Sequence, residues 1–249
     1  MTNVDGCQVT LDRETGVLDA VIARGSHNLM TTEMCDALSG CLEAPPSGAH
    51  IMQIRASGPA FCLGRERRAT DLRGLQGETK ALVRLNTAIT ASRLVTVAQV
   101  QGDAAGFGVG LAALCDISIA APSVKLGFPE VRMNLAPTIV LAWLPGVVGR
   151  KRAFMLTATG REITSQQARD IGLITEVAPS DETLSEVAYQ WIASLRQFSP
   201  SVPGEIKRFL NLTRELPTDA AYELGALQLI VAGLSKDVDD QSGKKGMLA

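Results

Sequence analysis

Glu130 has the setting best suited to acid/base chemistry, because it stands among apolar neighbours in Leu126-Gly127-Phe128-Pro129-Glu130-Val131. A carboxylate there is either a surface residue after a turn or a partly desolvated acid. In the second case its pKa rises toward neutrality, where it can take up and return a proton. A second stretch, Gln101-Gly102-Asp103-Ala104-Ala105-Gly106-Phe107-Gly108-Val109-Gly110-Leu111, is rich in glycine and opens a helix. Free backbone N–H groups at such a start, aided by the helix dipole, can bind negative charge. Close packing of helix on sheet is the other use of such glycines. A nucleotide loop is disfavoured: no Lys-Ser/Thr pair follows, and Leu111 stands at the third glycine position of a GxGxxG fingerprint. The third stretch, Ser57-Gly58-Pro59-Ala60-Phe61-Cys62-Leu63-Gly64-Arg65-Glu66, follows a buried strand and alone reads as a surface loop with two glycine turns.

Other chemistries find little support. There are only two histidines, His27 and His50, and no CxxC pair, which argues against zinc. No GxSxG elbow is present, which argues against serine hydrolysis. Five scattered cysteines, Cys7, Cys35, Cys41, Cys62 and Cys115, read as reduced thiols in a cytoplasmic protein. A formal net charge of −2 gives no field for nucleic acid or membrane, and the runs Arg65/Arg67/Arg68 and Arg150/Lys151/Arg152 read as solvated faces. The start of the chain lacks the apolar region of a secretory signal, and the apolar stretch from Val109 to Ala121 is broken by Asp116 and too short to span a bilayer.

The elements that must position these residues follow from periodicity. Val9–Asp12 and Val17–Ala23 read as strands joined by Glu14-Thr15-Gly16, and Met30, Met34, Leu38 and Leu42 as a helix ending near Pro45-Pro46. Ile51–Arg55 is a buried strand, Glu78–Leu94 a helix, and Val95–Val100 and Ile117–Ala120 further strands. After about residue 138 the pattern is almost wholly helical. Thr164 to Gln167 fits a capping box, Leu184, Ala188, Trp191 and Leu195 form a stripe, and Pro203 suits a first helical turn. The alternation predicts an α/β layer architecture with parallel pairing, followed by a helical C-terminal part. No internal repeat is legible.

Taken together the three stretches resemble the enoyl-CoA hydratase/isomerase (crotonase) family, in order along most of the chain. Gly-x-x-Phe-Cys-x-Gly is matched at 58–65, Gly-x-Ala-x-Gly-x-Gly ending in Cys-Asp-Ile at 102–117, and Phe/Leu-Gly-x-x-Glu at 126–130. The block Thr157-Ala158-Thr159-Gly160-Arg161, with Ala168-Arg169 and Gly172-Leu173-Ile174, resembles a later family stretch. The resemblance implies a spiral of repeated ββα units over residues 1–195 and a helical trimerisation segment over 196–249.

It further implies an acyl-CoA thioester substrate, with coenzyme A as part of the substrate and no separate cofactor or metal, and a homotrimer or hexamer. The backbone N–H groups of Arg65 and Phe107 take the place of the family's oxyanion hole, and Glu130 that of its acid/base. Substrate and CoA contacts fall on Arg24, Ser26, Ala60, Cys62, Leu63, Gly64, Arg67, Arg68, Gly106, Pro129 and Leu135. This sequence departs from the family pattern in several places. Phe107 stands where glycine is usual, Arg65 where small or apolar residues are, and Gly110 where a two-acid hydratase carries its first glutamate. Thr138 stands where a dienoyl isomerase has an aspartate, and the chain lacks the Lys-Arg-x-Pro-x-Phe-like tail, ending Gly246-Met247-Leu248-Ala249. Asp103 and Glu66 are possible substitute acids. The resemblance implies an enoyl-CoA hydratase-like enzyme. The single carboxylate leans toward 3-enoyl to 2-enoyl isomerisation, although some hydratase-like members also pair this glycine with a segment like Leu135-Ala136-Pro137. A non-catalytic acyl-CoA binder is the third reading.

Overall fold

The runs at 51–56 and 95–100 become parallel strands of one sheet, the second buried on both faces apart from Gln99 and the first with Gln53 and Arg55 half-buried on one face. The computed structural model describes residues 2–245, with side chains through residue 233. At the start of the chain β1 (Thr2–Val4), β2 (Cys7–Asp12) and β3 (Val17–Ile22) pair antiparallel. A helix, α1 (Thr32–Glu43), follows. Its N-cap Thr31 accepts a hydrogen bond from the Met34 amide, and Met34, Cys35, Leu38 and Leu42 are buried along one face.

Three turns of a ββα spiral come next. The first is β4 (Ile51–Ala56), β5 (Ala60–Cys62) and α2 (Leu72–Ala91). The second is β6 (Val95–Val100), β7 (Asp103–Ala105) and α3 (Phe107–Ala113). The third is β8 (Ile117–Ala120), β9 (Lys125–Gly127) and a 3-10 turn over Pro129–Met133 in place of the helix. The first strand of each turn joins a seven-stranded sheet and the second a four-stranded one, so the chain alternates between two layers. The spiral implied by the family resemblance is therefore present. The repeat is not legible in the sequence because its parts differ in length: α2 has 20 residues, α3 has 7, and the last turn has 5.

The remaining elements of this part are α4 (Thr138–Leu141), α5 (Leu144–Val148), α6 (Arg150–Thr159), β10 (Ile163–Thr164), α7 (Ser165–Asp170), β11 (Glu176–Val177) and α8 (Leu184–Leu195). The two short strands interrupt the helical run read from sequence. They close the sheets, whose orders are β1-β2-β3-β4-β6-β8-β11 and β10-β9-β7-β5. The capping box at Thr164 and Gln167 forms in full, and α8 buries Leu184, Ala188 and Ile192. The helix read from Glu78 begins six residues earlier, at Leu72. The Asp71 side chain caps it by accepting from the Gly74 amide at 2.7 Å.

The chain divides into a unit over residues 1–204 and a second over 205–249, a boundary that falls inside α9 (Ser201–Thr213). The second unit continues into α10 (Thr218–Lys245), where Gly225 lies against the ring of Phe209. Residues 246–249, and with them the expectation about the tail, lie outside the described residues. None of the five cysteines forms a disulfide, and burial pushes the thiols of Cys7, Cys35 and Cys62 up to about 12.

The glycines of the 102–110 stretch act first in packing. A Cβ on Gly108 would lie 2.0 Å from the Cys62 carbonyl oxygen, and one on Gly102 would lie 2.1 Å from that of Pro59. Backbone on both sides leaves nothing that can swing away. Gly108→Ala should therefore destabilise the fold by about 3 kcal/mol or more, read as a lowered urea midpoint. An unchanged midpoint would contradict this close approach.

Candidate active site

Beside that contact Arg65 and Phe107 reach the walls of one cavity. In the first strand-to-helix crossover, Met30 donates to the Gly64 carbonyl at 3.0 Å and accepts from the Glu66 amide at 2.8 Å. This bridge engages the residues on either side of Arg65, so the N–H of Arg65 itself faces away from Met30. Phe107 is the first residue of α3, whose leading amides have no partner within the helix. Among the described residues neither amide is taken up by another backbone acceptor. Arg65 and Phe107 both line a cavity of about 500 Å³.

Glu130 enters the same cavity from the 3-10 turn that Pro129 opens. Its Oε2 is buried without a hydrogen-bond partner. Its Oε1 lies 2.5 Å from where a Cβ on Gly106 would be, and Gly106 has φ +53°. Glycine is thus required at 106 twice over, by backbone conformation and by the carboxylate. Burial raises the Glu130 pKa above its ordinary value, while a hydrogen bond with its own backbone and the charge of Arg67 pull the other way.

The position of the family's first glutamate holds a ring. A Cβ on Gly110 would stand 3.3 Å from Cζ2 and 3.7 Å from Nε1 of Trp143. This indole packs edge-on against Phe128, with ring centroids 6.4 Å apart. Glu130 is the only carboxylate among the described residues that line the cavity. The two possible substitutes lie elsewhere. Asp103 is exposed and accepts from the Lys125 amide at 2.8 Å, and Glu66 is held by Arg24 and Arg68.

Of the residues singled out from sequence, Leu63, Gly64, Arg65, Arg67, Gly106, Phe107, Pro129, Glu130 and Leu135 come together on this cavity. Arg24, Ser26, Ala60, Cys62 and Arg68 do not line it. Ala60 and Cys62 are buried in β5, where the Cys62 thiol donates to the Gly64 carbonyl at 3.2 Å. Ser26 is exposed in the loop before α1, and Arg24 places Nη2 3.0 and 3.1 Å from the two Glu66 oxygens. Arg65 is also occupied: its Nη1 donates to Glu78 at 2.8 Å, and the same carboxylate accepts the Arg68 and Ala69 amides. Those bonds hold the Glu78 pKa down and fasten the 65–69 loop to α2.

Sequence reading missed Trp143, Thr79 and Asn86. The last two share the cavity face of α2 with Leu82, a spacing that the apolar stripe through Leu82 already carried. It also missed Asn28, which is buried and donates to the carbonyls of Ser57 and Ala60, both at 2.8 Å, so that the loop after β3 is tied to β5. Among the described residues no group of three or more His, Cys, Asp or Glu could hold a metal, and no helix is long and apolar enough to cross a membrane.

Residues 13–248 match the sequence model of the enoyl-CoA hydratase/isomerase family. An enoyl-CoA isomerase/hydratase of Mycosarcoma maydis is 35% identical over 152 residues, which span 58% of this chain and 56% of that protein. The chain thus spans little more than half the length of that relative. A putative enoyl-CoA hydratase of Thermus thermophilus is 30% identical over 181 residues, 70% of this chain and 68% of that protein. The crystal structure of an enoyl-CoA hydratase/isomerase from Marinobacter aquaeolei shares the fold at a TM-score of 0.83 and 22% identity, covering 92% of this chain and 91% of that one.

The raised pKa of Glu130 has a consequence for stability. In the folded chain the carboxyl keeps its proton to a higher pH than in the unfolded chain. The stability this contributes is present below the ordinary value of 4.5 and is lost as pH rises through the folded value. Glu130→Gln, which stays neutral, should melt near the wild type in acid and progressively above it as pH rises. Calorimetry across pH checks this, and a difference that does not change with pH would exclude desolvation as the cause.

Proposed function

Because the chain belongs to the enoyl-CoA hydratase/isomerase family, we propose that it processes an acyl-CoA thioester in this cavity by moving a double bond. The reaction is isomerisation of a 3-enoyl to a 2-enoyl thioester. The observation that carries the reading is the single carboxylate: Glu130 stands alone, and Trp143 occupies the space beside Gly110. Addition of water calls for one group to take the proton of the water and another to orient it or to protonate carbon. Moving a double bond needs one base that removes a proton and later returns it.

In this reading the Glu130 carboxylate removes a proton from C2. The electron pair forms a dienolate whose charge lies on the thioester oxygen. The amides of Arg65 and Phe107 donate to that oxygen and stabilise it more than the neutral carbonyl before it. Glu130, now protonated, delivers the same proton to C4, and the double bond is left between C2 and C3. Desolvation suits the carboxylate to both steps, since it strengthens the base and makes its protonated form easier to hold. Arg67, exposed at the cavity, supplies positive charge near the CoA phosphates. Coenzyme A is then part of the substrate, and a homotrimer or hexamer is the assembly proposed on family grounds.

Hydration is the second reading, favoured by the description of the Thermus thermophilus relative as a hydratase. The two readings differ in mass. Incubated with a 3-enoyl-CoA, the protein should give a product of unchanged mass with a shifted double bond. A product heavier by one water from crotonyl-CoA would favour hydration instead. Glu130→Gln should lower kcat by about 10²–10⁴-fold, and an unaffected rate would remove Glu130 from the mechanism. Acyl-CoA binding without turnover of either substrate would leave a binder and overturn both.

A further inference from the structure

Glu78 stands in the second turn of α2, and its side chain is 12% exposed. Its carboxylate takes three donors from the loop that follows β5. Oε2 accepts from Arg65 Nη1 at 2.8 Å, and Oε1 accepts from the main-chain amides of Arg68 at 2.9 Å and Ala69 at 2.7 Å. From Leu63 to Thr70 the only strand-like pairing is the bridge between Met30 and Arg65. That bridge fixes one end of the loop. The Gly64 carbonyl accepts from Met30, and in a planar trans peptide the Arg65 N–H then points the opposite way. The bridge does not restrain the chain beyond Glu66, and there Glu78 takes over.

An ordinary surface ion pair adds little to a fold and needs no main-chain donors. This carboxylate holds backbone as well as a guanidinium, through bonds of the stronger, charge-assisted kind. Its place matters more than its strength. Arg65 lines the cavity, and so do Thr79 and Leu82 of α2. Glu78 therefore clamps the loop that carries one proposed donor amide to a helix that forms part of the cavity wall. The Arg65 side chain gains a task as well, as the strut between its own backbone and that clamp. Donors stabilise developing charge best when they are already in place. We infer that Glu78 is a positioning residue for the reaction and that, through Arg65, it holds the Arg65 amide where the thioester oxygen is received. The inference rests on the oxyanion role proposed for that amide. It is independent of whether a double bond moves or water adds.

The test pairs kinetics with a signal from a thioester that cannot react. Butanoyl-CoA with an isotope label at its carbonyl carbon is bound to the full chain, and its carbonyl stretch is read by infrared difference spectroscopy. Hydrogen bonds to the oxygen weaken the C=O bond, so the wild type should lower the stretch below that of free butanoyl-CoA. Glu78→Ala should return it most of the way, while loss of one neutral hydrogen bond limits the change in Kd to about fivefold. On whichever enoyl-CoA is turned over, the same variant should lower kcat by about 10- to 100-fold with KM little changed. Glu78→Gln keeps an acceptor oxygen but loses the charge, and should show both changes to a smaller degree. Should Glu78→Ala fail to fold, Glu78→Gln decides by the same two readings. Arg65→Met combined with Glu78→Ala should cost no more than Glu78→Ala alone, and effects that multiply would overturn the part given to Arg65. A fall in kcat matched by an equal loss of butanoyl-CoA binding would overturn the inference, since a loosened cavity explains it. Turnover by the wild type with a band and a kcat indifferent to Glu78 would defeat this inference alone. A shifted band that Glu78→Ala restores, with no turnover of any enoyl-CoA, would defeat the proposed reactions alone.

Discussion

The site depends on main chain lying against main chain where β5 passes β7 and the start of α3. Side chains at 102 or 108 would hold the strands apart, because the carbonyl oxygens of Pro59 and Cys62 occupy the positions their Cβ atoms would take. With glycine at both places Arg65 and Phe107 come to line one cavity. The short sheet secures the arrangement. Gly106 donates to the Gly127 carbonyl at 2.9 Å, so the turn that opens α3 is joined to the strand that leads into Glu130. The loops that carry Arg65, Phe107 and Glu130 are thus fastened by backbone hydrogen bonds.

Around this frame the charges are sorted. Three arginines follow β5 within six residues, yet only one of them is left to face the cavity as an unpaired cation. Glu78 holds Arg65, and Glu66 holds Arg68 together with Arg24. Arg67 keeps its charge for the cavity and moderates the burial that lifts Glu130. The carboxylate is therefore desolvated but not isolated. The Asp of the Cys-Asp-Ile motif belongs to the frame as well, since Asp116 accepts from the amide and hydroxyl of Thr96 at 2.7 and 2.8 Å and joins β8 to β6.

Much of the large sheet was legible because its strands are long enough to show a pattern. The runs at 51–56 and 95–100 and the capping box at Thr164 are local signals with local causes. The small sheet was not legible, since β5, β7 and β9 have three residues each and period-two alternation cannot be read over so few. The early part of α2 was hidden by Gly74 and Gly77, whose low helix propensity is overridden by the Asp71 cap and by packing. In the site, Glu130 and the glycine motifs were visible because their spacing along the chain is what places them. Trp143 and Asn86 were not, because they meet the cavity from parts of the chain 57 residues apart by number. Only folding brings them to the same walls.

The indole over Gly110 also bears on how such a site changes over generations. A glutamate introduced at 110 would have to thread its side chain past a ring already within 3.3 Å of its first carbon. Replacing Trp143 first would strip Phe128 of its edge-on neighbour while adding no acid. A second carboxylate at 110 thus calls for the indole to give way or to be replaced by a smaller residue. What side chain position 110 can carry is therefore set by the residue at 143.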